Sequence, residues 1–482
     1  MNYKSISIKR KIMVGIKYLP GAFAFVILAT GCAAQKGAEQ GWKDYATLVK
    51  KIVPPTFANH DFSILYYGAK ADGTTDCLPA IKSAIAACNK AGGGRVMIPA
   101  GNFFVKGPIH LLSNVNLHLD DNAVVKFSTN DDDYLPVVLT RMEGIELMNY
   151  SPLIYAYGQT NIAVTGKGTL DGQADNNHWW NWVGNKRFGW KEGEPAQHDP
   201  ENEPKLMKMA AENVPVKDRV FGKGHYMRPT MIEFYNCKNI LIQGVTITNT
   251  PFWIIHPTLS QNITVDGVTT NSLGPNNDGC DPESCSEVMI KNCSFTDGDD
   301  CIAIKSGRDA DGRRVNVPAK NIIVQDCEMK DGHGGVVIGS ETSGGVENVY
   351  AQNDVMNSPH LERAIRIKSN ACRGGVLKNF YLRNIKVGQV HEAVVKINMH
   401  YANEKGPDCN YPPTLSGVYV SNVVSQKSEY AIYIEGLDDK PVTDIHIDNC
   451  TFDNVAKENF IRDAKDLHAD NTTVNGKKVN LH

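Results

Sequence analysis

One short phrase recurs along most of the chain, and it restricts the possible folds more than any other feature. Apolar and variable residues alternate, and Asn, Asp or Gly follows, then a small or apolar residue. Such alternation is typical of strands with one buried face, and Asn, Asp and Gly are typical of turns. The phrase begins at Ile162, Ile240, Ile263, Val288, Ile322, Val349, Phe380, Val418 and Ile445.

From Ile240 the steps between phrases are 23, 25, 34, 27, 31, 38 and 27 residues. Steps of this size, without helical segments between them, predict an all-β chain that winds as a right-handed parallel β-helix. The alternative is a β-sandwich, which would show hairpin turns at shorter intervals and no phrase in a fixed register. We therefore expect residues 59–482 to form one β-helix domain.

The segment before the repeat predicts a cap for the open end of the β-helix. Leu78, Ile81, Ile85 and Cys88 recur at helical spacing after the N-cap candidate Asp76. The helix is expected to end before the glycines at 92–94. A short amphipathic helix at this place would cover the apolar interior of the first coil.

The N-terminus predicts export. Five basic residues precede an apolar run over residues 18–30, which is the layout of a signal peptide and is too short for a confident membrane span. Residues 28–32 resemble a bacterial lipoprotein cleavage box, with Ala29 in place of the preferred Leu. We expect a signal peptide at 1–31, a lipid anchor on Cys32 as first mature residue, and a leader or linker at 32–58. The lipoprotein would lie in the periplasm or at the outer membrane or cell surface, and plain secretion is the alternative.

Removal of residues 1–31 takes away five cations and no anion, so the net charge falls from −3 to −8. An acidic surface argues against nucleic acid as a partner. The twelve cysteines follow the repeat and not a dense disulfide pattern. Cys293 and Cys327 share one register position, yet Val268 and Ile385 occupy it elsewhere, so we expect both thiols to be free and buried.

The repeat lapses over residues 172–228, which contain four of the six tryptophans, Trp179, Trp180, Trp182 and Trp190. In a solenoid such an insertion projects from one side and can wall a binding groove. Alternatively, its tryptophans form a small core of their own. The two interpretations are compatible.

Four chemistry-bearing residues are brought together by the repeat. Asp299 and His333 lie at the same offset, eleven residues, from the strand starts Val288 and Ile322. Adjacent coils are ~4.8 Å apart, so the two side chains should be neighbours. Asp278 precedes Asp299 by about one coil and Asp300 follows it directly, so all four should share one face.

Clustered carboxylates suit glycoside hydrolysis, because one group gives a proton to the leaving oxygen while another takes one from water. Crowding raises the pKa of at least one of them. The alternative is a simple turn or a calcium site. Arg366 and Lys368 lie two residues apart on one strand face, where they suit a carboxylate-bearing sugar.

These motifs resemble glycoside hydrolase family 28, the polygalacturonases. The family's Asn-x-Asp, Asp-Asp, Gly-His-Gly and Arg-Ile-Lys motifs occur in order at 276–278, 299–300, 332–334 and 366–368. The resemblance implies Asp299 as general acid, Asp278 and Asp300 as activators of water, His333 as a supporting group, and Arg366 and Lys368 as substrate binders. It implies inversion at the anomeric carbon, no cofactor and no metal, and galacturonan as partner of a monomeric enzyme.

Further phrases resemble the bacterial exo-acting branch of the family. They include Pro251-Phe252-Trp253, Ile302 to Arg308, and Gly339-Ser340-Glu341. We expect the insertions at 171–228 and 307–320 to wall the groove and favour exo action. Two alternatives stay open: a hydrolase of rhamnogalacturonan or another uronate glycan, and a lyase or non-catalytic β-helix binder. For inversion we expect acid and base carboxyls roughly 6.5–9.5 Å apart.

Overall fold

The computed structural model describes residues 22–402 and 409–481, with side chains from residue 37 onward. The chain winds as a right-handed parallel β-helix with three sheets, A, B and C, along its length. Sheet A has thirteen strands: Asp61–Ser63, Gly94–Ile98, Val115–Leu119, Thr160–Gly166, Lys238–Gln243, Gln261–Asp266, Ser286–Lys291, Ala319–Gln325, Val346–Gln352, Val376–Arg383, Thr414–Ser421, Val442–Asp448 and Ala464–His468.

Sheet B has fourteen strands: Asp72–Asp76, Gly101–Val105, Ala123–Phe127, Thr169–Asp171, Thr246–Thr248, Thr269–Asn271, Ser294–Thr296, Glu328–Asp331, Val355–Met356, Lys386–Gln389, Val424–Lys427, Thr451–Phe452, Thr473–Val474 and Lys477–Lys478. Sheet C has two parts joined by isolated bridges through Ile255 and Cys280. Its strands are Ile109–His110, Ile154–Tyr157 and Ile232–Tyr235, then Ile302–Ile304, Val336–Ile338, Arg363–Lys368, Ala393–Asn398, Tyr430–Glu435 and Phe460–Arg462.

Each copy of the recurring sequence phrase forms a strand of sheet A, as predicted. Its first apolar residues pair in register from coil to coil, for example Ile263 with Val288 and Val288 with Ile322, and all are buried. Each inward Val or Ile contributes ~1.5–3 kcal/mol through burial. The turn residues after the strands, such as Asn292, Asp326 and Asn353, have left-handed backbone, which Asn and Asp tolerate best. The period therefore fixes both the core and the turns.

The second helix of the chain, α2, spans Leu78–Lys90. It is the cap helix that the sequence predicted, so this prediction is confirmed. Asp76 accepts a hydrogen bond from the Leu78 amide at 2.9 Å, so it satisfies one of the amides at the helix start. Ile81, Ile85 and Cys88 are buried against the first coil.

Most of the segment interpreted as a leader or linker, residues 32–58, is helical, and the sequence analysis did not predict this helix. The first helix, α1, spans Ala22–Lys51 and packs on the outer face of sheet A. Trp42, Tyr45 and Leu48 of α1, followed by Ile52 just after the helix, recur at helical spacing. They contact a ladder of stacked tyrosines that includes Tyr381. The basic part of the predicted signal peptide, through Lys17, lies outside the described residues. None of the helices described is long and apolar enough to cross a membrane.

A hairpin and two helices outside the coils contact one another. A two-stranded antiparallel hairpin, Val138–Met142 with Ile145–Asn149, is here called the wall hairpin. The tryptophan-rich segment contains helix α3, Glu203–Ala211, and the later insertion contains α4, Asp309–Val315. Short 3₁₀ turns occupy Ile64–Tyr67, Asp131–Tyr134, Trp180–Val183, Lys186–Phe188 and Val216–Asp218.

Cysteines play two parts in the described chain. Cys293 and Cys327 are free and buried, so the prediction of unlinked thiols is confirmed. Cys372 and Cys409 form a disulfide between a loop after sheet C and the approach to the next coil, a pairing that the sequence did not predict.

Candidate active site

The carboxylates lie where the chain turns from sheet B into sheet C on two successive coils. The Asp299 amide donates to the Asn277 carbonyl at 3.3 Å, and the Gly279 amide donates to the Asp300 carbonyl at 2.9 Å. The His333 amide in turn donates to the Asp299 carbonyl at 2.9 Å. Backbone ladders thus stack Asp278, Asp299, Asp300 and His333, as the repeat register predicted.

The three carboxylates form a tight group. One oxygen from each of Asp278, Asp299 and Asp300 lies within 4.8 Å of the others. The predicted separation of roughly 6.5–9.5 Å is therefore wrong for these nearest oxygens. The reason is the coil spacing, which places Asp278 directly beside the Asp299-Asp300 turn. Carboxyl separation does not by itself decide the stereochemistry in this site.

Asp300 is fully buried and held by two cations. Its carboxylate lies 3.2 Å from Arg366 Nη1 and 2.7 Å from Lys368 Nζ. Both cations come from the strand Arg363–Lys368, on the same face as predicted. The structure shows them binding Asp300, and Lys368 also reaches the cavity beside the carboxylates.

Sequence reasoning missed Lys305. Its Nζ lies 3.2 Å from Asp278 and 3.3 Å from Glu341, and sits over the Trp253 ring at 4.3 Å. Ile304, Ile338 and Ile367 pair in register, which places Lys305, Gly339 and Lys368 in one column. A Cβ on Gly339 would meet the Lys368 carbonyl at 2.0 Å, so glycine lets these coils approach. Lys305 occupies the position equivalent to Lys368 on an earlier coil, and this equivalence was the signal that could have identified it.

Two cavities flank the carboxylates. The inner cavity has a volume of about 150 Å³, and its lining includes Glu143, Asp278, Lys305, Arg308 and Lys368. Asp299 lines it too.

The outer cavity, about 390 Å³, is lined by residues that include Arg187, His333, His360 and Glu362. Arg308 belongs to the 307–320 insertion and Arg187 to the tryptophan-rich segment, so both insertions border the site.

A sequence profile described as "Glycosyl hydrolases family 28" matches residues 217–473. The chain belongs to this family. A second profile, "Rhamnogalacturonase A/epimerase, pectate lyase-like", matches residues 62–136, which include the cap helix and lie before the carboxylates.

Similar proteins carry consistent names. A probable polygalacturonase of Vitis vinifera is 30% identical over 83% of this chain and 75% of its own length. An exo-poly-alpha-D-galacturonosidase of Dickeya chrysanthemi is 27% identical over 76% of this chain and 62% of its own length. The crystal structure of a hyperthermoactive exopolygalacturonase from Thermotoga maritima is 45% identical, with a TM-score of 0.87 over 92% of this chain and 97% of that chain.

In this family 28 glycoside hydrolase the environment separates the protonation states of the carboxyl groups. Burial raises the pKa of Asp278 to about 7, and the charges of Asp299 and Asp300 add to this against the opposing effect of Lys305. Burial would also raise the pKa of Asp299, but the hydrogen bond and charge of His333 outweigh it and lower that pKa. The Asp299 hydrogen bond raises the pKa of His333 to about 9. Asp278 is therefore the carboxyl group whose pKa is raised, as predicted for at least one member of a crowded carboxylate group.

The carboxylate group has the spacing of a cation site, which was one alternative interpretation of the Asp-Gly-Asp-Asp turn. Lys305 lies against Asp278, and Lys368 and Arg366 lie against Asp300. A calcium ion needs several oxygen ligands and would have to displace these cations. The donor set therefore favours acid–base chemistry over metal binding.

Proposed function

We propose that this family 28 enzyme removes single galacturonate units from the non-reducing ends of 1,4-linked galacturonan. The observation that carries the proposal is the small inner cavity beside the carboxylate group, with a larger cavity on the other side of Asp299. A cavity of ~150 Å³ takes one six-membered ring such as benzene. The inner cavity is thus too small for more than one sugar ring, and the outer cavity has room for more of the chain. The similarity to the Thermotoga exopolygalacturonase supports exo action.

The charge of the inner cavity suits a uronate. Four cationic side chains line it, Lys305, Arg308, Lys368 and Arg373, against four carboxyl groups. One of those carboxyls, Glu143, is disfavoured as an anion near neutral pH, because burial raises its pKa to about 8. The cavity therefore carries an excess of positive charge for an anionic sugar.

Asp299 is the proposed general acid. Its side chain is 19% exposed and contacts His333, whereas Asp300 is fully buried between two cations. His333 lines the outer cavity, on the side where the leaving oxygen would lie. Because the pKa of His333 is raised to about 9, it is protonated near neutral pH and supplies the proton that Asp299 passes on.

Asp278 and Asp300 are the proposed activators of water. Asp278 lines the inner cavity, and its neighbour Lys305 stabilises the carboxylate form that accepts a proton. Water held there attacks the anomeric carbon of the sugar in the inner cavity, and the remaining chain leaves on the Asp299 side. The sugar whose anomeric carbon is attacked is the non-reducing end, which gives the direction of cleavage.

Product analysis tests the proposal. Purified enzyme is incubated separately with polygalacturonate and rhamnogalacturonan, and products are followed by chromatography, viscosity and ultraviolet absorbance. We expect monogalacturonate from the first time point, a slow fall in viscosity and no unsaturated ends. Mixed oligomers with a rapid viscosity drop, or cleavage of rhamnogalacturonan alone, would contradict the proposal.

We further propose that the protein is an exported monomer, anchored through a lipid on Cys32. The basic then apolar N-terminus and the cleavage-box resemblance at residues 28–32 support this. Cleavage before Cys32 would leave the part of α1 that packs on sheet A attached to the enzyme. Mass spectrometry of the mature N-terminus, with Cys32→Ala as control, and light scattering of the delipidated protein test it. An unprocessed N-terminus would contradict export.

A further inference from the structure

Glu143 lines the inner cavity from the tip of the wall hairpin. A series of contacts leads there from the carboxylates: Asp278 to Lys305 at 3.2 Å, then Lys305 to Glu341 at 3.3 Å. Glu341 packs beside the tip of the wall hairpin, since a Cβ on Gly144 would meet its Cγ at 3.0 Å. The Glu143 side chain lines the cavity and is 20% exposed. It therefore faces a ligand bound in the inner cavity, with Lys305 and Glu341 between it and Asp278.

The backbone at this tip is unusual for a glutamate. Glu143 and Gly144 have φ of 45° and 81°, which makes the tip a type I′ turn. This turn prefers Asn-Gly, because a non-glycine residue in left-handed backbone is strained and Asn tolerates it best. Strain of this kind is found where a side chain is needed for a function. The turn itself does not explain a glutamate here.

Buried ion pairs hold the wall hairpin in place. Arg141 of the hairpin lies 2.9 Å from Glu283 in a turn of the β-helix. The Glu146 amide donates to Asp311 of α4 at 2.8 Å, and Asp311 lies 2.7 Å from Arg219. All of these side chains are buried or nearly so. The hairpin, α4 and the tryptophan-rich segment therefore form one fixed wall.

We propose that Glu143 determines chain-end specificity by hydrogen-bonding the free 4-hydroxyl of the terminal galacturonate. The inference rests on the proposed function, since it concerns the sugar in the inner cavity. In a 1,4-linked chain only the non-reducing end has a free 4-hydroxyl, and an internal residue would need room for its next sugar where Glu143 stands. The wall thus recognises the terminal residue and excludes internal ones.

The chemistry of Glu143 fits this role. Its Oε2 lies 2.8 Å from Arg308 Nη1, which orients the carboxyl group. Its Oε1 has a long contact, 3.4 Å, from Gln197 Nε2, and an oxygen of this kind accepts more than one hydrogen bond. Burial and the charge of Glu203 raise the pKa of Glu143 to about 8, so it does not repel a uronate near neutral pH.

Two trisaccharides test the proposal. One is trigalacturonate, and the other carries a 4,5-unsaturated sugar at its non-reducing end and so lacks the 4-hydroxyl. Wild type, Glu143→Asn and Glu143→Gln are compared by kcat/KM on both. Asn restores the favoured turn pair but is too short to reach the hydroxyl, whereas Gln keeps the reach. Glu192→Gln is the control, because Glu192 is 85% exposed on the tryptophan-rich segment.

We expect Glu143→Asn to lose roughly 10- to 100-fold on trigalacturonate, as for a polar group left without its hydrogen bond. On the unsaturated substrate both variants should match wild type, and on trigalacturonate Glu143→Gln should lose less than Glu143→Asn. Equal losses on the two substrates, or no loss on either, would overturn the proposal. If wild type releases no monogalacturonate from trigalacturonate, the proposed function itself fails, which is a separate result.

Discussion

His333 Nδ1 lies 3.0 Å from Asp299 Oδ1, and the His333 backbone amide donates to the Asp299 carbonyl at 2.9 Å. The imidazole is thus held by both backbone and side chain against the most exposed of the three carboxylates. Because the contact raises the pKa of His333 to about 9, the pair is an imidazolium beside a carboxylate near neutral pH. The pair thus carries one proton: it moves from His333 Nδ1 to Asp299 and from Asp299 to the leaving oxygen, which leaves a neutral imidazole beside a carboxylate.

The first prediction concerns this proton. Asp299→Asn keeps the size of the side chain but cannot donate an acidic proton, so kcat on polygalacturonate should fall by ~10²- to 10⁴-fold. Circular dichroism should show an unchanged fold. An activated aryl galacturonide, whose leaving group needs no proton, should restore much of the rate. Turnover within a fewfold of wild type on polygalacturonate would contradict the assignment.

The alkaline side of the pH profile is the second prediction. A raised pKa means that His333 keeps its proton below about 9 and loses it as the pH rises through that value. The kcat/KM of wild type should therefore decline above about pH 9. His333→Gln should lower kcat/KM and remove this decline. His178→Gln is the control, since His178 is 45% exposed and lines neither cavity; a profile of His333→Gln that matches wild type would contradict the prediction.

The repeat predicted much of this arrangement. A period of apolar residues defines which positions stack, so the contact between Asp299 and His333 follows from their equal offset. The same register applied to Lys368 would have indicated Lys305. What limited the prediction was that isolated lysines on strands are common, and only the stacked column shows that two of them meet the carboxylates.

The repeat period does not predict the parts of the structure that lie outside the coils. The wall hairpin leaves the solenoid, and its Glu143-Gly144 turn is a weaker hairpin signal than Asn-Gly. Helix α1 carries an amphipathic stripe, but it precedes the repeat, so the period gives no indication of where it packs. The cation pairs of Asp300 depend on side-chain conformations, which no sequence period specifies.

Lys305 provides the third prediction. Burial raises the pKa of Asp278 to about 7, and the charge of Lys305 opposes this increase. Lys305→Met removes that charge, so the pKa of Asp278 should rise further and the acidic limb of kcat/KM should move to higher pH. Lys305→Arg should shift the limb less. The measurement is a full pH profile of each variant, and an acidic limb that stays in place or moves to lower pH would refute the link between Lys305 and Asp278.

The fourth prediction concerns stereochemistry. Water activated by Asp278 or Asp300 attacks opposite the leaving oxygen at Asp299, so the first product should be the inverted β-anomer. The short distance between carboxylate oxygens makes this a stringent test, because carboxyls ~5–5.5 Å apart usually accompany retention. Proton NMR of fresh digests resolves the anomers before they equilibrate. An initial α-anomer would show that one carboxylate acts as a nucleophile.

The final prediction concerns helix α1. Leu48 is buried against Ile323 and the tyrosine ladder of sheet A, and Gly41 permits close approach, since a Cβ there would lie 2.2 Å from the Tyr381 ring. Truncation of a buried leucine typically costs ~2–5 kcal/mol. Here the loss cannot exceed the free energy with which α1 docks on sheet A. A weakened α1 would detach from sheet A while the β-helix stays folded.

Leu48→Ala should therefore speed proteolysis and hydrogen exchange within residues 37–51 while kcat/KM stays unchanged, since the carboxylates lie between sheets B and C and not on sheet A. Lys43→Ala, a change on the same helix outside the buried cluster, is the matched control. A drop in kcat/KM while α1 stays protected from proteolysis and hydrogen exchange would contradict this prediction. It would mean that the helix influences the active site and does not only pack on sheet A.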